Sequence, residues 1–143
     1  MAGPTEVLNH KQVEDRIKRI AWQIYEEFNA EQEVILAGIA DRGYHLAEEL
    51  HKELKVIADI EVKLCKLSFD KEDALNSAYE LEPVFPLKGA SVVVVDDVLK
   101  SGGTLIYGVR HFLNFEVGKL KTVVLVDRNH KRYPVKADFK GLS

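Results

Sequence analysis

The run Ser91-Val92-Val93-Val94-Val95 limits the possible folds more than any other feature of the chain. Four consecutive valines leave no polar face for water, so the segment belongs inside a sheet covered on both sides, as parallel strands are. Parallel strands need long crossover connections, and the rest of the chain supplies them. Val13, Ile17, Ile20, Ala21, Ile24, Tyr25 and Phe28 recur at helical spacing, with Asn9 and Gln12 placed as N-cap and capping box. Val34 to Ala40 is short and apolar, a buried strand. Asp41-Arg42-Gly43 breaks it, and Leu46, Ala47, Leu50 and Leu54 resume helical spacing. Ile57 to Leu67 alternates imperfectly, which predicts a strand with Ile60, Val62, Leu64 and Leu67 inward and the other face solvated. Phe69 to Phe85 loses periodicity, as an excursion or a short hairpin would. Leu105, Val109, Phe112 and Leu113 mark a further helix, Thr122 to Val126 a strand, and Tyr133 to Phe139 a last short strand. The expected fold is α/β: one domain over residues 1–143, a mostly parallel twisted sheet flanked by helices on both faces.

Composition narrows the class. At 143 residues and 46% hydrophobic, one self-sufficient core is expected without disulfides or structural metal. Cys65 is the single cysteine and has no partner within the chain, which fits a reducing, cytoplasmic setting. No run approaches the roughly 18 apolar residues of a membrane span, and Met1-Ala2-Gly3-Pro4-Thr5 lacks a signal pattern. A net charge of −3 argues against binding nucleic acid by bulk electrostatics.

After the valines come Asp96-Asp97-Val98-Leu99-Lys100-Ser101-Gly102-Gly103-Thr104 and then a helix. Ligands of open α/β sheets bind beyond the carboxyl ends of strands. The Lys-Ser-Gly-Gly-Thr turn offers backbone N–H groups, two hydroxyls and a helix N-terminus, the parts of a phosphate cradle. The two acids repel phosphate; they suit sugar hydroxyls, or magnesium and its waters, beside it. A solvated strand end with an ordinary turn is the plain alternative. Neither the Walker pattern nor the dinucleotide fingerprint occurs in the chain.

The string resembles the PRPP (phosphoribosyl diphosphate) signature of the type I phosphoribosyltransferases: a hydrophobic strand, two acids, then a Thr/Ser-Gly-x-Thr/Ser loop. Gly38-Ile39-Ala40-Asp41-Arg42-Gly43 is similar to that family's pyrophosphate loop. Val124-Leu125-Val126-Asp127-Arg128-Asn129-His130-Lys131-Arg132 is similar to a segment of one subgroup, the uracil phosphoribosyltransferases that double as pyrimidine-operon attenuators. The resemblance runs from about Val7 to Gly141. It implies a Rossmann-like fold in which Asp96 and Asp97 hold the ribose hydroxyls and rank, with Arg42, as the catalytic residues. Lys100, Ser101, Gly102, Gly103 and Thr104 would bind the 5′-phosphate. Ala40, Asp41, Arg42 and Gly43 would bind pyrophosphate, in a loop that often carries a non-proline cis peptide. Asp127, Arg128 and His130 would lie on the base side; a backbone-bonded loop histidine is the other reading of His130. Phe69, Asp70 and Lys71 fall where the family has a mobile lid, although a solvated loop reads equally well there. The cofactor implied is Mg2+, held through PRPP and waters rather than by the protein directly. The partners implied are PRPP, a nucleobase and a second copy in a homodimer.

Departures from the family bear on the base. Purine-type relatives place an Asp three positions after the second acid, where this chain has Lys100, which favours uracil over a purine. Orotate-type lids carry closely spaced Lys and Arg, whereas Phe69-Asp70-Lys71-Glu72-Asp73 is mainly acidic. The chain stops at Ser143, so the resemblance implies a reduced hood over the base. Pyrimidine-operon attenuation through RNA is an alternative function: Lys18, Arg19, Lys131, Arg132 and Lys136 would form one basic face, but scattered solvating charges are the commoner meaning of such residues. Trp22 replaces the attenuators' histidine on that face and reads as a core or dimer-interface residue. A PRPP sensor with little transferase activity is a third possibility.

Overall fold

The structure is a computed structural model that describes residues 9–128 and 130–142; Val7 and Asn129, the start of the resemblance and one position of its last segment, lie outside the described residues. Helix α1 (His10–Phe28) begins with the expected capping box: Gln12 N–H donates to Asn9 Oδ1 at 2.8 Å and Asn9 N–H to Gln12 Oε1 at 3.0 Å. Strand β1 (Glu33–Ile39), helix α2 (Arg42–Ile57), strand β2 (Glu61–Ser68), the short β3 (Glu80–Glu82), β4 (Ser91–Leu99), helix α3 (Gly103–Phe112), β5 (Lys119–Asp127) and β6 (Phe139–Leu142) follow. The six strands form one sheet in the order β3-β2-β1-β4-β5-β6, parallel throughout except for β3 against β2.

The valine run shows why it has no polar face. Val93 and Val95 join the core beneath α1 and α2, with Ile20, Ile24, Phe28, Leu50 and Leu54. Val92 and Val94 point to the opposite face and pack with Leu105 and Phe112 of α3. Each fully buried aliphatic or aromatic side chain there removes apolar area worth about 1.5–3 kcal/mol from water.

Three sequence expectations need correction. Ile57 closes α2, and β2 starts only at Glu61. That strand has no solvated face: Val62 packs under the helices, whereas Cys65 and Leu67 lie an odd number of residues away and pack on the α3 side. Lys63 stays partly covered by pairing with Glu33 at 3.1 Å and by lying 5.1 Å from the Phe85 ring centroid. The final strand lies at Phe139–Leu142 rather than Tyr133–Phe139, because the preceding residues turn: Val135 N–H donates to Tyr133 O at 2.9 Å.

Phe69 to Phe85 takes the hairpin option, with β3 returning against β2. Its loop is bonded to itself. Asp70 N–H donates to Ser77 Oγ at 2.8 Å, Glu72 N–H to Asp70 Oδ1 at 2.9 Å, and Tyr79 O–H to Ala74 O at 2.8 Å. Phe69 stacks on Tyr79, and Tyr79 on His111 of α3, at 4.5 and 5.2 Å between centroids.

Candidate active site

β1 and β4 are neighbours whose connections leave to opposite faces, α2 to one and α3 to the other. A crevice therefore opens beyond their carboxyl ends. A cavity of about 290 Å3 occupies it, lined by Arg42, Lys71, Asp96, Asp97 and the Lys100–Thr104 turn.

The floor is β4 itself, which continues past the valines through Leu99, so both acids sit within the strand rather than after it. Asp96 is only 5% exposed. Its Oδ1 accepts the N–H of Asp97 at 2.9 Å, and Asp97 Oδ1 accepts that of Val98 at 2.9 Å. Burial, then the charge of Asp97, pushes the Asp96 carboxyl up to about 6, while the Asp97 N–H and the Lys71 ammonium pull the other way. Vicinal carboxylates held in this way accept hydrogen bonds from vicinal hydroxyls.

The turn after β4 is shaped by Gly102, at φ 92° and ψ −3°, a left-handed conformation that favours glycine. A Cβ there would also lie 2.7 Å from Val135 Cγ1. Ser101 Oγ accepts the Gly103 N–H at 3.2 Å, so one of the N–H groups expected to face a ligand is already engaged. The turn is backed from behind. Ser101 O accepts the N–H groups of Arg132 at 2.7 Å and Tyr133 at 3.1 Å, and Leu99 O accepts that of Arg128 at 2.8 Å. Sequence reasoning missed this backing role of 132–135, since the segment carries no periodicity and its contacts are made by main chain.

The loop after β1 is shaped by crowding. A Cβ on Gly43 would collide with the Val95 carbonyl oxygen, and one on Gly38 with the Tyr44 backbone. The Ala40–Asp41 peptide is cis, as the resemblance implied. The side chain of Arg42 is 85% exposed, with its guanidinium nitrogen 3.8 Å from Asp97 Oδ2. Asp41 is exposed and Ala40 half-buried; neither lines this cavity. Asp41, Arg42 and Asp97 instead border a more apolar groove of about 530 Å3 between α1 and α2, floored by Ile17, Leu46 and Leu125.

The remaining expected residues divide. Lys71 reaches the cavity, whereas Phe69 and Asp70 serve their own loop. Asp127 is buried with Lys131 and Lys140 at 3.9 and 3.7 Å, and Arg128 and His130 are exposed; none of the three lines the cavity. Of the five basic residues expected on one face, Lys18 and Lys136 are exposed and the other three have separate surroundings. Arg19, with Arg16, donates to Gly141 O at 3.1 and 2.9 Å, Lys131 faces Asp127, and Arg132 lines a cavity beside Ser101. Trp22 is 52% exposed and meets Tyr25 edge-on, which removes it from the core. Among the described residues, no three His, Cys, Asp or Glu side chains converge as a metal cage, and no helix is long and apolar enough to cross a membrane.

Comparison with known proteins agrees with this architecture. The family model of the phosphoribosyl transferase domain matches residues 4–143. The Bifunctional protein PyrR of Haemophilus ducreyi is 33% identical over 145 residues, covering 94% of this chain and 80% of its own length. That of Enterococcus faecalis is 31% identical over 144 residues, covering 95% and 80%. Among solved structures, a hypoxanthine-guanine phosphoribosyltransferase of Bacillus anthracis superposes with a TM-score of 0.81 at 20% identity, covering 95% of this chain and 79% of that one. A hypoxanthine phosphoribosyl transferase of Trypanosoma cruzi gives 0.82 at 19%, covering 95% and 75%. At such identities the superpositions speak for the fold alone. The family model and the PyrR relatives carry the assignment further: this chain belongs to the type I phosphoribosyltransferases, the PRPP-dependent pentosyl-transfer enzymes, and within them it is similar to the PyrR bifunctional proteins.

Proposed function

We propose that this enzyme transfers the 5-phosphoribosyl group of PRPP to uracil with release of pyrophosphate. The observation that carries this reading is the convergence of Asp96, Asp97, Arg42 and the Lys100–Thr104 turn on one cavity at the ends of β1 and β4. Asp96 and Asp97 take the ribose 2′- and 3′-hydroxyls. The turn takes the 5′-phosphate through its free N–H groups and the hydroxyls of Ser101 and Thr104. Ala40 to Gly43 receive the pyrophosphate, with Arg42 as a fork-shaped donor.

A ring nitrogen of the base displaces pyrophosphate from the anomeric carbon through an oxocarbenium-like transition state. The chain's work is to align the two reactants and surround the developing charge. The carboxylate pair lies where that positive charge develops, and Lys71 and Arg42 lie where negative charge departs. Asp97, which lines the cavity, would accept hydrogen bonds from the waters of a magnesium ion that arrives on PRPP. When bound, magnesium neutralises the leaving pyrophosphate. The hairpin loop bearing Lys71 acts as the lid that limits water.

Lys100, exposed where purine-type relatives carry an acid, supports uracil over a purine, as does the similarity to the PyrR proteins. Asp127, Arg128 and His130 belong to the base side in this reading. The enzyme works in the cytoplasm as a homodimer. Sequence-specific RNA binding is not part of the proposal, since Arg16 and Arg19 already bond to Gly141 O. The test is pyrophosphate release from PRPP and magnesium with uracil, hypoxanthine, guanine, adenine, xanthine or orotate. Uracil is expected to give the largest rate over the base-free control. A purine in that place would reject uracil, and no release with any base would favour a PRPP sensor.

A further inference from the structure

The two carboxylate oxygens of Asp97 have different partners. Oδ1 accepts the N–H of Val98 at 2.9 Å, which ties it to its own strand. Oδ2 is the oxygen that Arg42 approaches, at 3.8 Å, too long for a hydrogen bond but within reach of an ion pair. Arg42 and Asp97 both line the cavity and the apolar groove between α1 and α2, so the pair stands on the boundary between the two spaces. The main chain beside Arg42 is confined, since a Cβ on Gly43 would already collide with the Val95 carbonyl. Its side chain is not: it is 85% exposed, against 27% for Asp97, and gives up little when it changes rotamer.

This arrangement sets up a conflict. In the proposed function a ribose hydroxyl bonds to Asp97, and Oδ2 is the oxygen that the backbone leaves for it. The same oxygen is the one that faces Arg42. A ligand must therefore draw Arg42 away or share the carboxylate with it. PRPP offers Arg42 an alternative, because a pyrophosphate is a better acceptor for a guanidinium fork than one carboxylate oxygen. Ribose 5-phosphate has the same sugar and the same 5′-phosphate, and offers none. The nucleotide formed by transfer has likewise lost its pyrophosphate.

We propose that Arg42 is a specificity-determining residue that exchanges partners, holding Asp97 in the free enzyme and yielding it to ligands that bring a pyrophosphate. Phosphoribosyl compounds without one bind against its competition, and so does the product, which eases its release. The proposal rests on the assignment of Asp97 to a ribose hydroxyl and of Arg42 to pyrophosphate. It adds a sign that those assignments alone do not give. A cation beside a site for anions should strengthen every phosphorylated ligand by simple attraction. Here it opposes those that lack a pyrophosphate.

The experiment is calorimetric titration of the full chain with PRPP and with ribose 5-phosphate, in magnesium buffer at about 0.15 M ionic strength, which damps attraction beyond about 8 Å. Arg42→Gln is expected to weaken PRPP about tenfold, the loss of one charge-assisted contact, and to tighten ribose 5-phosphate about threefold, the size of an exposed ion pair. The tightened ligand also shows that the variant is folded. In an Asp97→Asn background the gain should vanish, since the competition runs through that carboxylate. Ribose 5-phosphate weakened or unchanged by Arg42→Gln, with PRPP weakened, would overturn the exchange and leave Arg42 as a pyrophosphate ligand. A gain that persists in the Asp97→Asn background would overturn it too. Failure of PRPP to bind the unaltered chain would remove the proposed function together with the exchange.

Discussion

Two glycine-bearing connections meet at the site, and they use glycine for opposite reasons. After β1, Gly38 and Gly43 have ordinary backbone geometry but no space: the first turn of α2 is pressed against the ends of β1 and β4 until a Cβ would meet main chain. After β4, Gly102 is needed for its left-handed backbone, and its nearest neighbour is the tip of a side chain, Val135. The first loop is fixed by the sheet and leaves Asp41 and Arg42 reaching outward, the latter with its side chain 85% exposed. The second is fixed by a layer of chain behind it, and its inner surface stays open. The cavity between them is thus framed by one loop that cannot shift and one that is shaped; in the proposed function they take the leaving group and the 5′-phosphate.

That contrast is sharpest in substitutions. Gly43→Ala sets a methyl group against the Val95 carbonyl, which cannot give way without moving β4, and should cost about 3 kcal/mol of stability or prevent folding. A melting curve like that of the unaltered chain would show that the two elements are less tightly locked than the geometry says. The next effect in size concerns the floor between the loops. Asp96→Asn with Asp97→Asn should weaken PRPP binding by about 2 kcal/mol, roughly thirtyfold, by removing two charge-assisted contacts. Unchanged PRPP affinity in calorimetry would remove the ribose assignment. Asp96→Asn alone should raise the midpoint of thermal unfolding, since it relieves a buried charge beside a like charge.

Gly102→Ala is expected to be milder than Gly43→Ala, at about 1.5 kcal/mol, because the cost is a left-handed alanine and a valine tip that can swing aside. If chemical denaturation ranks the two in reverse order, the distinction between crowding and conformation fails. The smallest effect is on pH dependence. With Asp96 at about 6, its carboxylate population falls roughly tenfold between pH 7 and 5, and PRPP affinity should fall with it. Stability moves the other way. Between about 6 and the ordinary carboxylate value near 4, the native chain holds a proton that the unfolded chain lacks, so its contribution to stability grows as pH falls through that window. Titrations of affinity and stability that move together would point to a different group.

The elements of the sheet were legible where residues answer to one strong demand. The valine run and the capping box on α1 combine local chemistry with a clear burial pattern and appear as expected, and the strand–acid–glycine string differs only in that β4 runs on through both acids to Leu99. Strand β2 misled because it is interior and mixed: Lys63 and Lys66 suggest a wet face, yet Lys63 lies against Glu33 and Phe85, and Lys66 stands 4.9 Å from the Tyr44 ring centroid. Amphipathic stems cover apolar surface while their ammonium groups find partners, and alternation read from charge alone misses this. The site was legible in its acids and its turn, since these follow one another in sequence. Its second wall was not. Lys71 was expected there only through the family resemblance, since its loop is aperiodic, and the backing of Ser101 comes from main-chain atoms some thirty residues later, whose identity as residues is almost irrelevant.

The hairpin loop has a thermodynamic consequence of its own. A flexible lid must be ordered each time it closes on a ligand, at about 1–2 kcal/mol for each backbone residue immobilised. Here the segment that presents Lys71 is already tied through Asp70, Ser77 and Tyr79, and Tyr79 leans on α3 through His111. The ordering is completed during folding, when the core supplies the driving force. In the proposed function, ligand binding then meets a loop whose backbone is already ordered, and its entropy change should carry little backbone contribution from this segment.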